Sequence, residues 1–144
     1  MKKDRLSLYF LLSGFLFILD QSFKYFAYSN QNFKFYLLKP WLGWEYFPNP
    51  GIAFGIPVPQ IIIWILTPLI LLGLSLWWRK NNHKTDRFYL GVCFVFAGAI
   101  SNLIDRIVFS ITIDYFRVLT SVMNLADIII IIGAIYLLYQ KKKK

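Results

Sequence analysis

The stretch Phe88–Ser110 reads FYLGVCFVFAGAISNLIDRIVFS. It is apolar over a length that suits a membrane crossing, since about 20 residues at 1.5 Å each cover roughly 30 Å of hydrocarbon. It is also interrupted at regular intervals. Gly98, Asn102 and Arg106 recur every four residues and share one helix face, with Asp105 beside them. Ionisable groups inside a span are costly and usually face a bundle interior, so this stripe predicts a polar site between packed helices. Ala97, Gly98, Ala99 and Ser101 leave room for a neighbouring helix to come close.

Three further stretches have the same character: about 6–27, 60–78 and 122–139. Pro68 lies inside the second and predicts a kink there. The reading is therefore an all-α membrane protein, a single integral membrane domain over residues 1–144 built as a four-transmembrane-helix bundle. The composition agrees: of 144 residues 58% are hydrophobic and 16% charged, against roughly 45–50% and 25% in soluble domains. A net charge of +9 could suggest nucleic acid, but its placement argues against such a partner. The basic residues gather at the ends of the apolar runs, as Lys2, Lys3 and Arg5, then Arg79, Lys80, Lys84 and Arg87, then Lys141 to Lys144. By the positive-inside rule both termini and the 79–87 loop are cytoplasmic, and residues 28–59 and the short 111–121 connector face outward. The first span also fits a cleaved signal peptide ending at Ala27-Tyr28-Ser29. Cleavage would strip off Asp20 and Lys24 and leave three spans, against the charge pattern.

Residues 28–59 carry Phe33, Phe35, Tyr36, Trp41, Trp44, Tyr46, Phe47 and Phe54. Alternation in 32–36 and 41–47 predicts short strands, and the aromatics suit a membrane–water boundary. This predicts a small extracytoplasmic β-cradle between helices 1 and 2.

The remaining intramembrane polar residues cluster near the outward ends. Asp20 and Lys24 are spaced i, i+4, acid before base, as an ion pair prefers. Asn124 and Asp127 sit i, i+3 at the start of the last span, and Asp114 lies only thirteen residues before Asp127. A turn could bring these two carboxylates together. Two carboxylates in a poorly hydrated place share one proton, so one can polarise a water while the other protonates a leaving amide. No metal and no covalent nucleophile is then needed. Neither a common Cys/His metal site nor a cofactor motif is expected, because the chain holds one cysteine, Cys93, in an apolar run and one histidine, His83, in a charged loop. Cys93 reads as a small core residue.

Five blocks in this order resemble the lipoprotein signal peptidase (signal peptidase II) family: Asp20-Gln21-x-x-Lys24; Asn49-x-Gly51-x-Ala53-Phe54-Gly55; Gly98-x-x-x-Asn102-x-x-Asp105-Arg106; Ile113-Asp114-Tyr115-Phe116; and Asn124-x-Ala126-Asp127. The resemblance implies an intramembrane aspartic endopeptidase of the bacterial inner membrane, with its active site near the extracytoplasmic face. It would remove the signal peptide of prolipoproteins just before a diacylglyceryl-modified cysteine. It would work as a monomer among membrane lipids and bind globomycin-type inhibitors. By motif, Asp114 and Asp127 match the catalytic pair. Asp20, Lys24, Asn49, Gly51, Gly98, Asn102, Arg106, Asn124 and Ala126 match positions that line or support the site, and Asp105 is expected to partner Arg106. The 117–121 connector is shorter than is usual in the family, where a surface helix often lies. Two rivals remain at this point: a small ion-coupled transporter using the acids as a relay, and an intramembrane protease of non-lipidated substrates.

Overall fold

The computed structural model describes residues 3–52, 56, 58–81 and 85–139. Lys2, Ala53, Phe54, Gly55, His83, Lys84 and Lys141 to Lys144, used in the reading above, lie outside the described residues. The element order is α1 (Lys3–Ser29), β1 (Lys34–Leu38), β2 (Leu42–Asn49), α2 (Gln60–Lys80), α3 (Asp86–Phe109), β3 (Thr112–Val118), β4 (Ser121–Met123) and α4 (Leu125–Leu138).

Among the described residues, three helices are long and apolar enough to cross a membrane, over Arg5–Ser29, Gln60–Lys80 and Asp86–Phe109. Their outer faces carry exposed Leu11, Phe15, Ile18, Ile61, Ile65 and Leu69, a surface that water would not tolerate at this extent. Pro68 lies within α2, which runs on to Lys80. The Thr85 hydroxyl caps α3 by accepting from the Phe88 N–H at 3.2 Å. The fourth apolar segment differs from the expected 122–139 span. Its helix has 14 residues, about 21 Å of rise, shorter than a hydrocarbon core. The beginning of that segment is drawn into β4, and Asn124 then caps the helix.

The sheet is likewise larger than predicted. Four antiparallel strands lie in the order β1-β2-β3-β4, and only β1 and β2 come from residues 28–59. The 111–121 stretch, read as a connector, supplies β3, which pairs with β2 from Leu42↔Val118 to Asn49↔Thr112. β4 follows with Phe116↔Met123 and Val118↔Ser121. Thr112, Ile113, Asp114 and Tyr115 are all buried in succession, so β3 is covered on both faces, and it is pairing with the distant β2 that makes this short stretch a strand. Glu45 ties three strands together, accepting from Tyr36 of β1 and from Arg117 Nε of β3 at 2.8 Å. Burial alone would raise the Glu45 pKa, but these donors hold it below the usual range.

The end of α1 packs on the sheet through a buried cluster of Ala27, Ile113 and Tyr115. Trp44 stacks on Tyr115 with ring centroids 4.7 Å apart. α3 and α4 touch at backbone distance: a Cβ at Gly98 would stand 2.6 Å from the Ala126 carbonyl oxygen, and one at Gly133 would stand 2.7 Å from that of Gly91. The stripe of small residues in α3 thus does what its composition predicted.

Candidate active site

β3 places Asp114, the β3–β4 turn reverses the chain, and the first turn of α4 places Asp127. The β3–β4 turn holds Leu119 at φ 56°, a left-handed conformation tolerated in tight turns. Asn124, the N-cap of α4, joins the two acids. Its side-chain amide donates to Asp114 Oδ1 at 2.7 Å, and its side-chain oxygen accepts from the Asp127 N–H at 2.9 Å. Asp127 Oδ2 returns the bond to the Asn124 N–H at 3.4 Å, completing a capping box.

α3 supplies the next layer. Asn102 donates to Asp127 Oδ1 at 2.8 Å, and its own oxygen accepts from Asn124 Nδ2 at 3.1 Å. The two carboxylates are therefore linked through two asparagine amides. Asn49, at the end of β2, donates to the other Asp114 oxygen at 2.9 Å. Its side-chain oxygen accepts from the Gly51 N–H at 2.9 Å. Asp114 is 1% exposed. Burial first, and the Asp127 charge second, push its pKa up to about 7, against the donors Asn49 and Asn124. At neutral pH this carboxyl can carry a proton, which suits it to general acid–base work.

Beneath the acids lies a buried ion cluster. Lys24 Nζ sits 2.9 Å from Asp20 Oδ2, 2.9 Å from Asp105 Oδ2 and 2.9 Å from Asn102 Oδ1. The predicted i, i+4 pair of Asp20 and Lys24 is present, with both residues almost fully buried. Asp20 also accepts from Ser101 Oγ at 2.5 Å, from Tyr115 Oη at 2.9 Å and from the Ala126 N–H at 3.0 Å. Asp20 therefore holds α3, β3 and α4 together where the acids emerge.

Asp105 departs from its expected role. Its oxygens go to Lys24, to the Ile113 N–H at 3.1 Å and to Gln21 at 3.4 Å. Arg106 is not paired with it: the guanidinium donates to the Gly51 carbonyl at 3.3 Å, and its buried Nε has no hydrogen-bond partner. The cause is helical: neighbours in sequence point about 100° apart.

Three contributors were not picked out as site residues. Tyr115 donates to Asp20 and accepts from the Leu125 N–H at 2.9 Å, and burial with the Asp20 charge keeps its hydroxyl protonated. Gln21 and Ser101 join their helices at 2.8 Å. The signal for Ser101 was its i, i+4 spacing from Asp105 and its place beside Asn102. Tyr115 stood only as a member of its motif block, because its bonds to Asp20 and to the Leu125 N–H join it to α1 and α4.

The model of the family described as signal peptidase (SPase) II matches residues 12–142. A lipoprotein signal peptidase of Syntrophus aciditrophicus is 31% identical over 158 residues, covering 99% of this chain and 98% of its own length. One from Allorhizobium ampelinum is 33% identical over 141 residues, covering 92% of this chain and 85% of its own. A solved bacterial membrane enzyme superposes with a TM-score of 0.81 at 23% identity, over 96% of this chain and 94% of that one. That likeness establishes a common fold.

Proposed function

Because the chain belongs to the signal peptidase II family, whose members are lipoprotein signal peptidases, we propose that it is an aspartic endopeptidase that cuts prolipoproteins just before a diacylglyceryl-modified cysteine. Asp114 and Asp127 share one proton and hold the attacking water between them. The ionised member takes a proton from the water as its oxygen bonds to the scissile carbonyl carbon. The protonated member gives its proton to the leaving nitrogen as the C–N bond breaks, so the products are a signal-peptide carboxylate and the free amine of the lipidated cysteine. The single proton belongs to the pair rather than to either acid.

The observation that supports this reading is the Asn102–Asn124 link between the two carboxylates, with Asn49 on the far oxygen of Asp114. Arg106, with one buried N–H unspent, is suited to a substrate carbonyl. Asp20, Lys24 and Asp105 hold Asn102 and the start of α4 in place. Gly51 and Ala126 contribute backbone groups, and Gly98 lets α4 approach.

The chain is a transmembrane protease of the bacterial inner membrane, acting as one domain and a monomer. Its termini and the 79–87 loop lie in the cytoplasm, and the sheet and the acids lie at the extracytoplasmic face, where globomycin-type inhibitors bind. The basic groups at the ends of the apolar runs support this orientation.

The test is cleavage by purified protein of one precursor prepared with and without diacylglyceryl on its cysteine, with a chelator present. Asp114→Asn and Asp127→Asn should each lower cleavage about a thousandfold or more, as loss of a general acid–base group does. Near-normal cleavage by either variant removes that residue from the chemistry. Equal cutting of the unmodified precursor, or loss of activity to the chelator, overturns the substrate or the mechanism.

A further inference from the structure

We propose that a groove between α1, α2 and α3, at the end of the molecule away from the acids, binds an anionic phospholipid. A cavity of about 730 Å³ lies there, lined by Phe10 and Phe17 of α1, Trp78 and Arg79 of α2, and Ile100 of α3 among others. That volume suits a small ligand or a chain segment. The wall is mostly apolar, with Ser13 and Ser75 among its residues, and Phe10 stacks on Trp78 at 6.3 Å.

Arg79 is the charged residue of the lining. Among the described residues it has no carboxylate within ion-pair distance, and neither have its neighbour Lys80 nor Arg87 at the start of α3. Arg5, on the same end, is matched by Asp86. The lining thus joins one guanidinium, without a carboxylate partner among the described residues, to a mostly apolar trough, at an end of the molecule that also carries Lys80 and Arg87, which is the complement of a phosphate head carrying acyl chains. A signal-peptide helix fits less well, because its own basic start would meet these cations. Toward the acids the groove ends at the buried polar layer: Asp20, one turn beyond Phe17, accepts at 2.5 Å from Ser101, the residue after Ile100.

Gly14 lies on the groove wall, and a Cβ there would meet nothing within 4 Å. Gly14→Leu therefore adds an apolar side chain to the groove wall at a position whose Cβ has open space around it. The experiment measures lipid retention on the purified full chain by native mass spectrometry, offering phosphatidylglycerol or phosphatidylcholine. Glycerol phosphate and a synthetic basic signal peptide are offered as competitors. Wild type should retain phosphatidylglycerol over phosphatidylcholine by about fivefold, and Arg79→Gln should abolish that preference, as loss of one headgroup contact does. Gly14→Leu should lower retention of both lipids. If one variant fails to fold, the other still reads the site. Equal retention of the two lipids, retention unchanged in a folded variant, full displacement by glycerol phosphate, or displacement by the signal peptide each overturns the proposal.

Discussion

The side-chain amide of Asn124 donates to Asp114 Oδ1 at 2.7 Å. The same residue caps α4 through its oxygen and so fixes Asp127. Serine separates the two duties. It caps a helix nearly as well as asparagine, but it cannot supply the amide donor to Asp114. Asn124→Ser keeps the cap but takes a donor from the buried Asp114 and Asn102 oxygens, so it is expected to cost about 1–3 kcal/mol of stability. It should lower kcat/KM about 10- to 100-fold, the range for losing a hydrogen bond to a charged group. A rate that falls only in step with stability would show that Asn124 serves as a cap alone.

Asp114 also gives the fold a pH dependence of definite sign. Its pKa is raised, chiefly by burial and then by the Asp127 charge, up to about 7, against roughly 3.9 in an unfolded chain. The folded state therefore binds this proton more tightly than the unfolded state. The stabilisation is full below about pH 4 and is lost as pH rises through 7. Asp114→Asn, which never ionises, should gain on wild type as pH rises from 5 to 8. Melting curves of the two proteins at both pH values provide the check, and a constant difference would mean that Asp114 is ionised throughout.

How far the site could be read from sequence followed the geometry of its elements. Asp20 with Lys24, and the Gly98–Asn102–Arg106 stripe, were legible because a helix repeats with a fixed period. The convergence of Asp114 and Asp127 was foreseen from their short separation, but its instrument was not. β3 is a strand because residues 112–118 pair with the distant β2, and such long-range pairing leaves no mark in the local sequence. The same blindness hid Tyr115 and made the fourth span look longer than α4. Asp105 was given to Arg106 by adjacency, whereas the bundle gives it to Lys24 of a different helix.

Gly98 and Gly133 make a matched pair of probes. An added Cβ meets the Ala126 carbonyl oxygen at 2.6 Å in one case and that of Gly91 at 2.7 Å in the other. Both substitutions by alanine force backbone apart and should cost about 1–3 kcal/mol. Only the first pushes on the residue preceding Asp127. Displacing a reacting group by as little as 1 Å can cost about a hundredfold in rate, so Gly98→Ala should lose far more activity per folded molecule than Gly133→Ala. Cleavage normalised to the folded fraction decides it. Equal losses would mean that the clash spreads through the bundle instead of acting at Asp127.

Among the described residues, Lys24 is the cation that faces Asp20, Asp105 and the Asn102 side-chain oxygen. Lys24→Met leaves two buried carboxylates without their counter-charge, which costs about 3–5 kcal/mol. The two acids are not equally exposed to that loss. Asp20 keeps three donors, from Ser101, Tyr115 and Ala126. Asp105 keeps the Ile113 N–H and a long contact from Gln21. Neutralising Asp105 should therefore relieve most of the damage. The double variant Lys24→Met with Asp105→Asn is expected to unfold at higher denaturant than Lys24→Met alone, although Asp105→Asn by itself destabilises. A double-mutant cycle on equilibrium unfolding measures this coupling. Strict additivity would mean that Asp105 does not depend on Lys24 for its charge, and the cluster under the acids would then have to be held by Asp20 alone.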